Sequence, residues 1–160
     1  MATKAPNPIP EGMTALIPNL YFDGNCGQAI ELYQKALGAE VDGPPFLAPD
    51  GVTVWHAVLR IAGAPLFVSD IMAGGRERGP EEGNTASIML YVADCDTVIE
   101  RARAAGFEVT MAAEDQFWGD RMGRVRDRFG HSFAVGTHQW IYSPEEMERE
   151  KQKWLESLGK

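Results

Sequence analysis

The chain repeats itself. Asn25-Cys26 is followed by Ile30-Glu31, Ala36, Gly38 and Glu40-Val41, and the same order returns as Asp94-Cys95, Ile99-Glu100, Ala105, Gly106 and Glu108-Val109. The offset is 69 residues up to the end of the first helical pattern and 68 beyond it, a one-residue slip at the turn. An ordered repeat at a fixed offset means that one supersecondary unit is used twice, so each half constrains the other. At 160 residues the chain is long enough for one domain, or for two small halves sharing a core.

Each copy predicts the same elements: a strand, a helix and three further strands. Residues 16–22 are apolar and extended, with Pro18 suited to a strand start or edge. Asn25 is placed to cap a helix whose apolar stripe is Ala29, Ile30, Leu32, Tyr33, Ala36 and Leu37, and Gly38 stops it. Strands are expected over 39–46, 52–61 and 65–70, bounded by Gly, Pro or Asp turn chemistry. In the second copy 85–92 is a strand, Asp94 caps a helix ending at Gly106, and strands follow at about 108–114, 123–127 and 132–137. The chain then divides into a flexible N-terminal arm (1–12), a first βαβββ module (13–71), a Gly-rich linker (72–84), a second module (85–138) and a C-terminal helix (139–160). Ser143-Pro144-Glu145-Glu146 reads as a capping box that starts this last helix. Its apolar side, Met147, Trp154, Leu155 and Leu158, packs either on its own domain or on a second copy.

Composition narrows the function. A net charge of -8 argues against nucleic acid, which needs a concentrated basic surface. The basic stretch 121–128 alternates Arg with other residues, as the solvated face of a strand does. No apolar run approaches the ~18 residues of a membrane helix. Prolines in MATKAPNPIPEG stand where a signal peptide needs its apolar segment. Two cysteines, Cys26 and Cys95, are too few for a disulfide framework, so the expected compartment is the reducing cytoplasm. Both stand at helix starts, where a thiolate would gain from the helix dipole; inheritance through the duplication is the simpler account.

The segments IPNLYFDGN, AIELYQKALGAEV and FWGDRMGRVRDRFGHSFAVGTH together resemble the vicinal oxygen chelate superfamily. That superfamily includes glyoxalase I, extradiol dioxygenases, fosfomycin-modifying enzymes and bleomycin-resistance proteins. The likeness is to its PhnB-like branch, which has a similar GDR…G-x-V-x-D-x-FGH run and an S-P-E-E-M tail, and it covers about residues 13 to 147. It implies an α+β fold in which two tandem βαβββ modules form a curved eight-stranded mixed sheet around a cleft, with a C-terminal helix. It also implies a homodimer and a small-molecule ligand.

Metal-dependent members of the superfamily carry one ligand on the first and one on the fourth strand of each module, usually His, Gln or Glu. The resemblance places the fourth-strand positions four residues after a turn glycine, at Phe67 and Ala134. The first-strand position falls at Pro18, and the 69-residue offset carries it to Ser87. None of the four is a good ligand. A one-residue shift to Asn19, Val68, Ile88 and Val135 does no better, and it turns each side chain to the other face. No cofactor is therefore expected, and a divalent metal only at a displaced site drawing on the scattered donors His56, Asp70, Asp120, His131 and His138.

With Pro18 and Ser87 on the cleft, strand alternation sets Leu20, Phe22, Met89 and Tyr91 beside them, and Phe67 brings Ser69. Trp55, His56, Phe117, Trp118 and Arg121 complete the expected ligand-binding set. Such a stripe of Met and aromatics is also what a packed core looks like. Two functions follow. One is a binding protein that holds a small, largely apolar or aromatic molecule without the usual metal. The other is an enzyme of lyase, isomerase or dioxygenase type, using a displaced metal or acid–base chemistry of His56 with Asp70 or Asp120.

Overall fold

A computed structural model describes residues 5–71, 77–80 and 86–158. The first half runs β1 (Asn19–Phe22), α1 (Cys26–Leu37), β2 (Glu40–Val41), β3 (Phe46–Leu47), β4 (Val54–Ile61) and β5 (Ala64–Asp70). The second runs β6 (Ile88–Tyr91), α2 (Cys95–Ala104), β7 (Glu108–Asp115), β8 (Asp120–Arg126) and β9 (Ser132–His138), and α3 (Pro144–Leu158) follows. The α+β class and the repeated strand–helix–strands plan are both present. Most of the expected linker, 72–76 and 81–84, lies outside the described residues.

Each half has its own mixed sheet, ordered β1-β5-β4-β2 with β3 also on β4, and β6-β9-β8-β7. In both, the first strand runs parallel to the last, with Asn19 opposite Phe67 and Met89 opposite Ala134. The ladder is thus two separate sheets rather than one continuous eight-stranded one. The strand expected over 39–46 is split into β2 and β3. Pro44 and Pro45 lie in the gap and have no N–H to donate to a ladder.

The helices form where the apolar spacing put them. Every residue of the α1 stripe is buried, and Gly38 ends the helix in the left-handed region at φ 67°. Its start corrects the sequence reading, because Asn25 makes no side-chain cap. The Asp70 carboxylate, at the end of β5, accepts the Cys26 N–H at 2.9 Å and the Val54 N–H at 2.9 Å instead. In α2 the expected cap is there: Asp94 accepts from the Thr97 N–H at 3.1 Å.

The halves join through their helix-bearing sides. One apolar core takes in Phe22, Leu59 and Val68 from the first half and Val125, Phe133 and Val135 from the second. Tyr33 of α1 spans the join. Its ring meets Phe22 at 6.2 Å and Phe133 at 5.5 Å, and its hydroxyl donates to Asp127 at 2.6 Å. The Arg101 guanidinium donates to the Ala36 carbonyl at 3.0 Å, and His131 Nε2 lies 3.1 Å from the Tyr21 carbonyl oxygen.

This core fixes the direction of β1. Phe22 is 1% exposed against Tyr33, Phe129 and His131, and Leu20 packs on the same core. Asn19 and Tyr21 take the other face, joined by a 3.3 Å hydrogen bond from Asn19 Nδ2 to Tyr21 Oη. The expectation that Leu20 and Phe22 line a cleft is therefore corrected. Tyr21 precedes Cys26 by five positions, whereas Tyr91 precedes Cys95 by four. An offset taken from the helices misaligns the first strands by one residue, and a one-residue slip inverts every side chain.

The capping box at the start of α3 is closed both ways, Glu146 N–H to Ser143 Oγ at 3.2 Å and Ser143 N–H to Glu146 Oε2 at 2.8 Å. The helix returns to its own half at Trp154, whose ring meets Phe117 at 5.5 Å, while Met147, Trp154 and Leu155 stay exposed. The side chain of Leu158 lies outside the described residues. No helix among the described residues is long and apolar enough to cross a membrane.

Candidate functional site

Each sheet has a face turned away from the shared core. On the first, alternation and register bring Asn19, Tyr21, His56, Val58, Phe67 and Ser69 to one side. There His56 meets the Phe67 ring edge-on at 4.6 Å. Trp55 packs on Phe46 at 5.7 Å. On the second sheet Met89 and Tyr91 are exposed, and the buried Met122, Ala134 and Gly136 share their face. A Cβ on Gly136 would stand 2.7 Å from Met89 Cε, so the glycine lets the thioether lie against β9.

The chemistry concentrates on Asp120. Its side chain is 4% exposed, and it accepts from Tyr91 Oη at 2.7 Å and from Trp118 Nε1 at 3.0 Å, with His138 Nδ1 at 2.7 Å from the other oxygen. Burial pushes this carboxyl up, but the bonds from His138, Tyr91 and Trp118 outweigh burial and hold it below its ordinary value. The same bond raises the Tyr91 phenol. An ionised Asp120 makes Nδ1 the protonated ring nitrogen of a neutral His138, so Nε2 is left as the acceptor. The backbone holds this group in place. Gly119, at φ 100°, closes a turn on Gln116, and its carbonyl accepts from Gln139 and Trp140 at 3.0 and 2.9 Å.

A second feature is an apolar cavity of about 180 Å³ between the halves. Leu16, Pro18 and Leu66 wall it from the first half, and Ile88, Met89 and Phe133 from the second.

The positions that the resemblance assigns to metal ligands hold poor donors. Phe67 and Ala134, paired with Asn19 and Met89, have no donor side chains, and proline and serine stand at the expected first-strand positions. Among the described residues no three His, Cys, Asp or Glu side chains come together in a metal-holding group. Of the displaced donors, His56 lies on Phe67 and His131 under Phe22, while His138 and Asp120 come together as a pair at 2.7 Å.

Several expected site residues have structural work instead. Phe22 and Leu20 belong to the core, and the Asp70 carboxylate is taken up by two backbone N–H groups. Asp70 is therefore not the partner of His56. Arg121 is held in ion pairs with Asp96 at 2.6 Å and Asp115 at 3.1 Å. The Cys26 thiol is pushed up to about 12 by burial and then by the Asp70 charge, which removes it as a helix-start thiolate. His138 was missed as the partner of Asp120. Alternation along β9, which sets Ala134, Gly136 and His138 on one face, was the signal that could have found it.

A family profile described as the Glyoxalase/Bleomycin resistance protein/Dioxygenase superfamily matches residues 16–135. An uncharacterized protein of Mycobacterium bovis is 41% identical over 128 residues, covering 76% of this chain and 82% of its own. The crystal structure of protein PA1353 from Pseudomonas aeruginosa is 28% identical with a TM-score of 0.61, covering 79% of this chain and 99% of its own. A PhnB protein from Bacillus cereus, described as a putative 3-demethylubiquinone-9 3-methyltransferase, shares the fold. Its TM-score is 0.60 at 17% identity, over 78% of this chain and 99% of its own.

Proposed function

The chain belongs to the Glyoxalase/Bleomycin resistance protein/Dioxygenase superfamily, and we propose that within it this protein binds a small, largely apolar or aromatic molecule without the family's usual metal. The observation that carries the reading is the apolar cavity of about 180 Å³ at the junction of the halves. An apolar cavity of ~150 Å³ admits a benzene-sized guest, so one or two fused rings set the scale. Phe67 and Ala134 at the family's ligand positions support the metal-free part. Homodimerisation belongs to the same proposal, supported by the apolar side that α3 leaves exposed.

The test is a calorimetric titration of indole and naphthol into the wild type and into Met89→Trp, whose larger side chain fills the cavity mouth. Saturable binding lost in the variant supports the proposal. Binding that is absent, or unchanged by the substitution, refutes it. Elemental analysis of protein purified without added metal tests the metal-free part, and one tightly held divalent ion per chain would end it.

The Asp120–His138 pair favours a second reading, an acid–base enzyme in which His138 Nε2 takes a proton from a substrate bound beside it, outside the apolar cavity, while Asp120 steadies the imidazolium. That reading requires turnover of a bound compound to fall at least ~100-fold in His138→Gln with its affinity kept.

A further inference from the structure

Under α3 lies a separate cavity of about 400 Å³ that shares no residue with the one between the halves. Phe117, Trp140, Tyr142 and Trp154 supply aromatic walls, and Asp115, Asp120 and Glu150 supply carboxylates. Trp140 is 61% exposed, and Trp154 meets Phe117 at 5.5 Å. Large aromatics left this open around a hollow are unusual for a surface without a ligand.

The charge around the hollow has a definite sign. Arg121, outside the lining, is shared between Asp96 and Asp115, Lys153 pairs with Glu150, and Asp120 accepts from Tyr91 and Trp118 with His138 on its other oxygen. Three carboxylates, Asp115, Asp120 and Glu150, thus line the hollow beside one permanent cation, Lys153. The surplus is negative, and part of it, on Asp120, is buried where water screens it poorly. Ring faces attract cations through their quadrupole, and the attraction strengthens as water is excluded.

We propose that the cavity beneath α3 is a subsite for an organic ammonium cation, caged by Trp154, Phe117, Trp140 and Tyr142 and balanced by the surrounding carboxylates. The size suits a quaternary or protonated amine with a short substituent. A bare metal ion would leave the aromatic walls unused, and an anion would meet the surplus charge. α3 then has a role: it brings Trp154 over the loop that carries Phe117.

The probes are choline and benzyltrimethylammonium, with dimethylbutanol as the uncharged isostere of choline, followed by calorimetry and tryptophan fluorescence at low salt. Saturable binding of an ammonium probe is expected, with the isostere weaker by about fivefold or more. Trp154→Ala is expected to weaken the cation by a similar factor while the unfolding midpoint stays put, and Trp154→Phe to restore most of it. Equal affinity for the isostere overturns the proposal. So does unchanged affinity in both Trp154→Ala and Trp140→Ala, or failure of both ammonium probes to bind. Indole and naphthol binding in the other cavity reads independently, so either site can fail alone.

Discussion

Tyr33 in α1 donates a 2.6 Å hydrogen bond to Asp127, 94 residues further along the chain, and both groups are buried. The Asp127 carboxylate also receives the Phe129 and His131 N–H groups at 2.9 and 2.8 Å, so one side chain from the first half completes the shell of a turn in the second.

Removing the hydroxyl alone measures that tie. Tyr33→Phe keeps the ring packing and leaves one carboxylate lobe short of a donor, at a cost of about 1–3 kcal/mol. Urea unfolding should show a lower midpoint with an unchanged slope. A loss below ~0.5 kcal/mol would mean that the two backbone donors suffice on their own.

Asp120 should make stability pH-dependent in a stated sense. Its folded carboxyl lies below its ordinary value, so the stabilisation is complete above that value, near pH ~3.9, and is lost as pH falls through the folded value beneath it. The stability difference between wild type and Asp120→Asn should therefore hold through mildly acidic pH and shrink below pH ~4. In the same variant the Tyr91 phenol, raised by its bond to Asp120, should titrate lower by ultraviolet absorbance.

Cys26 should be inert. With its thiol pushed up to about 12, almost none is thiolate at neutral pH, and the side chain is fully buried. Alkylation by iodoacetamide at pH ~8, read peptide by peptide in a mass spectrometer, should modify Cys26 only as fast as the protein opens.

Gly119→Ala should be among the more damaging single-methyl additions. The residue sits at φ 100°, and a Cβ there would overlap the Trp140 carbonyl oxygen. A loss of at least ~2 kcal/mol is expected, against ~1 kcal/mol for Gly24→Ala, where φ is 76° but nothing lies within 4 Å. The Trp118 indole N–H resonance should report whether its bond to Asp120 survives.

The repeat made the fold legible because helix stripes and turn glycines are local signals. Ala29 to Gly38 carries its own stop and buried face, and Asp94 to Gly106 its own cap and buried face as well. Asp70 as the cap of α1 was not legible, since its partner lies 44 residues away and only the closed fold brings them together. The site was read less well, and for a geometric reason. One additional residue between β1 and α1 reversed the facing of Leu20 and Phe22, and no residue type in the strand announces that slip. His138 was visible as a donor, but its pairing with Asp120 depends on the β8–β9 register, which places the two opposite each other.

That additional residue has a consequence of its own. Two identical halves would offer a guest the same surface twice, and its head and tail would be interchangeable. Here β1 turns outward an amide and a phenol, Asn19 and Tyr21, where β6 turns outward a thioether and a phenol, Met89 and Tyr91. A protein that began as a symmetric duplicate has acquired polarity, and the outer faces of its two sheets are no longer interchangeable.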